Sequence, residues 1–269
     1  MRAAGAGPWH GLVLCVQCAR TTPGPVGGRL VLSATRTFFV GAIGAFASCG
    51  IAAAQSTGGV TGPKIAPNDR AVEFRIAYDP DSGRFAQRLH YQQAVSRDWR
   101  LRAIVVQDFR DGDFRFRNVT LQAHYQFQRA ARGWNAGLQF QGVIPTGNRG
   151  PGQARLAWAN SLDIAGGGEF RFAAYAARPI GDAAPPGIFL ETRTEASFPT
   201  GHGTRLGVLS FNEWGSTAGF GALAEQSHRV GPLVRWSGEG GLGLEASVQL
   251  GLTRDAPDNV LRLFVTKRF

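Results

Sequence analysis

Cysteine is missing after Cys49, methionine after Met1, and acidic side chains from the first 54 positions. Each gap removes a class of protein. Without Cys or Met, and with histidines scattered at His90, His124, His202 and His228, the body of the chain implies no disulfide framework, no soft-metal site and no cofactor. A cysteine-free body also suits export through an oxidising compartment. Charged residues make up only 18% of the chain while glycine occurs 37 times, which fits short strands and many turns better than helices. No stretch of the body is long and apolar enough for a membrane-crossing helix, so a membrane location requires a closed β-barrel.

What is present begins with a leader. "ATRTFFVGAIGAFASCGIAAAQ" sets Arg36 before an apolar core, Phe38 to Ala47, and ends in Ala52, Ala53 and Ala54 ahead of Gln55. Signal peptidases read small side chains first and third before the cut, here Ala54 and Ala52, so residues 31–54 are expected to be a signal peptide cleaved before Gln55. A retained membrane helix is the first alternative, but the apolar core is short and rich in Ala and Gly. A lipoprotein acylated at Cys49 is the second, although "FASC" lacks the usual Leu. The signal starts more than thirty residues from Met1, and residues 1–30 show no pattern. They read as an upstream extension that is not native or is disordered, with translation starting near Val31 or Leu32. "CVQC" (Cys15, Cys18) has no partner pair and reads as chance. Four of the 29 basic residues precede Gln55, leaving 25 against 19 acidic ones, a net charge of +6.

From Ala71 the chain becomes a series of alternating runs separated by turn residues. "AVEFRIAY" puts Val72, Phe74, Ile76 and Tyr78 on one face and Glu73 and Arg75 on the other. "WNAGLQFQGVI" and "LGLEASVQLGL" repeat the scheme with Gln139, Gln141, Glu245 and Gln249 opposite the apolar set. Period two is the signature of a strand with two different faces. Strands are expected near 71–79, 84–95, 99–109, 114–128, 134–145, 154–165, 169–179, 188–198, 205–213, 228–236, 241–253 and 259–269. Twelve is the central number, with ten to fourteen as the range, because "GSTAGFGALAEQSHRVGPLVRW" can hold one strand or two and Pro232 is awkward in a ladder. Phe114 and Phe116 fall out of phase with Val119, Leu121, Tyr125 and Phe127, which predicts a β-bulge near Arg117 and Asn118.

A soluble barrel also alternates, so the second face decides. It carries Arg, Gln, Glu, Asn and His in mid-strand, and twelve strands enclose an interior too wide for a soluble protein to leave polar and unfilled. Aromatics near the run ends (Trp99, Trp134, Trp214, Trp236, Tyr78, Phe198) sit where interface girdles belong. The last run, "NVLRLFVTKRF", places Leu261, Leu263, Val265 and the final Phe269 together. This resembles the C-terminal insertion signal of bacterial outer-membrane β-barrel proteins, with one departure: Lys267 stands where that class usually has an aromatic or apolar residue. The resemblance is to the class and singles out no family. It implies an all-β, antiparallel, up-and-down transmembrane barrel over residues 71–269, located in the outer membrane and inserted by machinery that reads the last strand. Residues 55–70 would then be a short periplasmic arm. Odd strands would run outward, with "SRDW" and "AARGW" as periplasmic turns and "PTGNRGPG" and "GDAAPPG" as loops at the barrel ends.

The polar face gives a lumen lined by Arg75, Arg88, Arg100, Arg102, Arg115, Arg117, Arg171 and Arg193, together with Glu73, Glu191, Glu195 and Glu245. Three functions compete. An arginine surplus makes a small porin-like pore for polar or anionic solutes. Arg–Glu pairing instead makes a plugged barrel that is structural or serves a partner protein. A lipid hydrolase is the third, but none of the four histidines sits two residues before a Ser, so no nucleophile–base pair and no catalytic residue is assigned. Lipopolysaccharide phosphates would anchor some arginines under any of these readings. "GEGGLG" (Gly238 to Gly243) matches a nucleotide-loop spacing but reads as a hairpin turn, since no helix follows it. The arginines alternate through strands and form no patch, which excludes nucleic acid as a partner.

Overall fold

The computed structural model describes residues 57–110, 113–147 and 150–269. The leader, its cleavage residues Ala52, Ala54 and Gln55, and all three cysteines lie outside the described residues.

Twelve antiparallel strands close into one barrel. They are β1 (Arg70–Asp79), β2 (Arg84–Ala94), β3 (Trp99–Arg110), β4 (Asp113–Gln128), β5 (Trp134–Pro145), β6 (Gly152–Ile164), β7 (Gly168–Ile180), β8 (Phe189–Gly201), β9 (Thr204–Ser216), β10 (Ser227–Ser237), β11 (Leu242–Gly251) and β12 (Asn259–Arg268). Each pairs with its neighbours in sequence, and β12 returns to β1 with Phe74 opposite Val265 and Ile76 opposite Leu263. The Phe269 amide donates to the Arg70 carbonyl at 2.9 Å, so the last residue fastens the seam.

The strand pattern is inside out relative to a soluble barrel. Leu89, Leu101, Leu121, Phe140, Trp158, Leu206, Leu250, Leu261 and Leu263 are exposed, whereas His90, Gln139, Glu191, Arg193, Arg229 and Arg262 are buried. Apolar side chains outward and polar ones inward is the arrangement that lipid requires. Trp99, Trp134, Trp236 and Phe198 lie near the rim where β1 begins and β12 ends, here called the terminal rim. Trp214 and Tyr78 lie near the opposite, distal rim, so these six aromatics fall at the two ends of the barrel, while Phe140 and Trp158 are exposed in mid-strand.

The bulge is where the phase change demanded it. Between β3 and β4, Val106 pairs with Asn118 and Gln107 with Phe116, leaving Arg117 as the extra residue. The segment after Trp214 holds one loop with a single turn of 3-10 helix (Leu223–Glu225), then β10. Pro232 sits on the outward face of β10, where Gly231 and Pro232 leave a gap in the ladder to β11. A Cβ at Gly231 would overlap the Val248 carbonyl oxygen, so only glycine fits there. "GEGGLG" is the hairpin between β10 and β11, with Gly240 at φ 63°.

One element differs from the sequence expectation. Residues 57–69, read as an arm in the periplasm, run among the inward side chains of the barrel, where Thr57 and Ile65 are fully buried.

Candidate functional site

The inward face is an ordered network of guanidinium and carboxylate groups. Glu73 accepts from Arg75 at 2.7 Å and from the Thr266 hydroxyl at 3.0 Å. Glu191 is clasped by both Arg155 and Arg193. Arg235 bridges Glu195 at 3.0 Å and Glu245 at 2.6 Å. Arg171 donates to Glu169 at 2.7 Å, and Arg229 to Glu213 at 2.6 Å. Buried charges persist only when paired and hydrogen-bonded, and these carboxylates meet that condition.

The cations outnumber them. Arg102 donates twice to the Gln92 amide oxygen, at 3.1 and 2.5 Å. Arg100 meets His124 Nδ1 at 3.3 Å and has Asp69 only at 4.0 Å. Among the described residues Arg88 has no ion pair and no hydrogen bond, and the charges acting most strongly on it include Arg75, Arg193, Arg155 and Arg262. Arg262, only 4% exposed, leaves Nε and Nη1 without partners.

Three inward aromatics carry these cations. Arg75 and Arg262 lie over Phe264 at 4.4 and 4.6 Å from its centroid. Arg193 and Arg262 face Phe211 at 4.9 and 5.0 Å, and Arg155 covers Tyr175 at 4.0 Å. Stacking on a ring holds a guanidinium in place without neutralising it.

The arm climbs from the terminal rim along this surface. Arg129 donates to the Ile65 carbonyl at 2.9 Å, and Lys64 pairs with Asp163 at 2.5 Å. Higher up, Thr61 donates to Gln139 at 2.8 Å and accepts from Tyr175 at 3.1 Å. Val60 packs on a buried cluster of Leu209, Phe211 and Leu233. What the arm leaves free is a cavity of about 730 Å³. Pro145, Pro151 and Pro185 line it at the distal rim, and Ser237, Gly243 and Arg268 at the terminal rim. Between them its wall is formed by arginines, by Gln92, Gln122, Gln141 and Gln153, and by Glu73, Glu169, Glu195 and Glu245, with Ile104 and Val106 as apolar patches.

Of the side chains expected in the lumen, Arg75, Arg88, Arg100, Arg102, Arg117, Arg171, Arg193, Glu73, Glu195 and Glu245 line this cavity. Glu191 is inward but sealed behind its two arginines. Arg115 does not line the cavity; it lies beside Asp113 at the distal end of β4, 3.9 Å away. Arg155, Arg229, Arg235 and Arg262 were not singled out from the sequence. Arg262 alternates with Leu261 and Leu263 and so carried the same signal as its neighbours. Leu261, Leu263, Val265 and Phe269 share the outward face.

No protein-family model and no curated protein matches the chain. Solved structures do match. An outer-membrane channel of the COG4313 type from Pseudomonas putida F1 superposes with a TM-score of 0.59 at 10% identity, covering 79% of this chain and 99% of that one. The KdgM porin superposes at 0.54 with 10% identity over 74% of this chain and 99% of its own. The same porin in complex with disordered oligogalacturonate gives 0.53 at 8% identity, with the same coverage. At such identities the likeness establishes the fold, that of a bacterial outer-membrane barrel.

Proposed function

We propose that this barrel is an outer-membrane channel for small polar solutes, with a preference for anions. One observation carries the reading: a single cavity is lined from both rims, and the cations on its wall exceed the carboxylates. An anion about 4 Å from one guanidinium gains about 4 kcal/mol at an effective dielectric near 20, enough to offset part of its lost hydration. Rings of such charge set pore selectivity. The porin solved with oligogalacturonate supports the same direction, since that ligand is a chain of carboxylates.

In this reading the chain is not an enzyme, and its inward histidines serve the wall: His90 faces Glu73, and His124 bridges Arg100 and Gln122. Export by the cleaved leader, insertion through Leu261, Leu263, Val265 and Phe269, and contact with lipopolysaccharide belong to the same proposal. Liposome swelling tests it, with the protein purified from membranes. Gluconate should enter faster than glucosamine of similar size. Equal rates would remove the anion preference. Failure of every solute to enter would favour the second reading, a closed structural or partner-binding barrel, for which the arm and the Val60 contact with Leu209, Phe211 and Leu233 speak.

A further inference from the structure

The carbonyl oxygens of three consecutive arm residues are each taken by a different arginine. Thr57 O accepts from Arg75 Nη1 at 3.2 Å, Gly58 O from Arg262 Nη2, and Gly59 O from Arg193 Nη1 at 2.9 Å. These donors come from β1, β12 and β8, so the arm crosses the lumen to reach them. The approach is close at both glycines, and a side chain at Gly58 would require the Arg193 guanidinium to move. A Cβ at Gly58 would overlap the Arg193 guanidinium, and one at Gly59 would sit 3.0 Å from Arg75 Nη1.

Three oxygens converging on three guanidiniums is the pattern a multidentate oxyanion would make, but here the oxygens are neutral. A carbonyl gives a guanidinium a weaker bond than a carboxylate or phosphate does. Arg75 and Arg193 each pair with one carboxylate, Glu73 and Glu191, the latter shared with Arg155, so the cluster as a whole still holds more cations than anions. Arg262 keeps Nε and Nη1 unpartnered while 4% exposed, and Arg88, opposite Arg75 in the β1–β2 register, has no partner among the described residues. Arg75, Arg88 and Arg193 border the cavity, whereas Arg262 does not line it.

We infer that Arg75, Arg193 and Arg262, with Arg88 at their edge, form a binding site for a multivalent oxyanion, a polycarboxylate or polyphosphate, and that the Thr57–Gly59 carbonyls occupy it as a built-in surrogate. An arriving anion exchanges its own oxygens for the three carbonyls. The arm then leaves the arginines, widening the passage. The arm therefore lowers the apparent affinity in proportion to how rarely it is absent. The proposal rests on anionic solutes reaching the lumen, as argued above.

The test is thiol labelling of Val60→Cys in protein exported from the full chain and purified from membranes, with the unsubstituted protein as background. Val60 keeps its Cβ in this variant and sits next to the three carbonyls in sequence. Inorganic tripolyphosphate is expected to speed labelling by a small neutral reagent at least about fivefold over sodium chloride of equal ionic strength, because the arm-free population rises. Sucrose should leave the rate unchanged. Equal rates in tripolyphosphate and sodium chloride would overturn the proposal. A second variant, Gly58→Val, excludes the arm from the arginines. It should label fast without any anion when combined with Val60→Cys, and an unchanged slow rate would also overturn the proposal. Labelling needs no current. Acceleration in a barrel that never conducts would retire the channel and keep the site, whereas conduction without acceleration would do the reverse.

Discussion

At the scale of the residue, two kinds of arginine share one wall and should answer differently to substitution. Glu191 is buried between Arg155 and Arg193, and removing it strands two guanidiniums with one carboxylate lost. Glu191→Ala is therefore expected to lower stability by about 3 kcal/mol, the cost of breaking a buried pair. Arg88→Gln strands nothing, since Arg88 has no partner among the described residues, and should stay within about 0.5 kcal/mol of the parent. Urea unfolding in lipid vesicles measures both, and equal losses would contradict the distinction. The sequence placed Glu191, Arg193 and Arg88 on the inward face, because alternation fixes a face. It could not say which of them pair. Arg155 and Glu191 lie on β6 and β8, strands that do not adjoin, and their contact exists only because the barrel curves them towards each other.

Strands were the most legible level. A membrane barrel writes one rule along every strand, apolar to lipid and mostly polar to lumen, and inward apolar residues such as Leu209, Phe211, Leu233 and Phe264 interrupt the polar face without shifting the strand's phase. One of the register shifts, that between β3 and β4, was legible for the same reason: Phe116 and Val119 can both face lipid only if one residue is set aside, and Arg117 is that residue. Those between Gln126 and Gln128 and in the β8–β9 ladder were not. Deleting Arg117 should therefore be tolerated, giving a straight ladder with Phe114, Phe116 and Val119 still outward. Deleting Gln122 should instead turn part of the strand over and prevent insertion, because a one-residue slip exchanges the two faces. Gel mobility with and without heating distinguishes an inserted barrel from a failed one. Insertion of both deletions, or of neither, would refute the register argument. The arm was illegible for the converse reason. "TGGVTGPKIAPND" has no period, and its partners lie on β1, β4, β5, β7, β8 and β12, far apart in sequence.

For the whole molecule, closure is what turns these local features into a function. Joining β12 to β1 leaves no unpaired edge in lipid and brings arginines from most of the strands around one lumen. The arm then divides that lumen into a filled part, against Leu209, Phe211 and Leu233, and an open part that touches both rims. Whether the open part carries ions is the central claim. The most direct test is the reversal potential of single channels in a planar bilayer under a potassium chloride gradient. Discrete steps with a potential on the chloride side, moving towards zero in Arg88→Gln, are the predicted result. A barrel that inserts and resists heat yet passes no current, or one that prefers potassium, would contradict it.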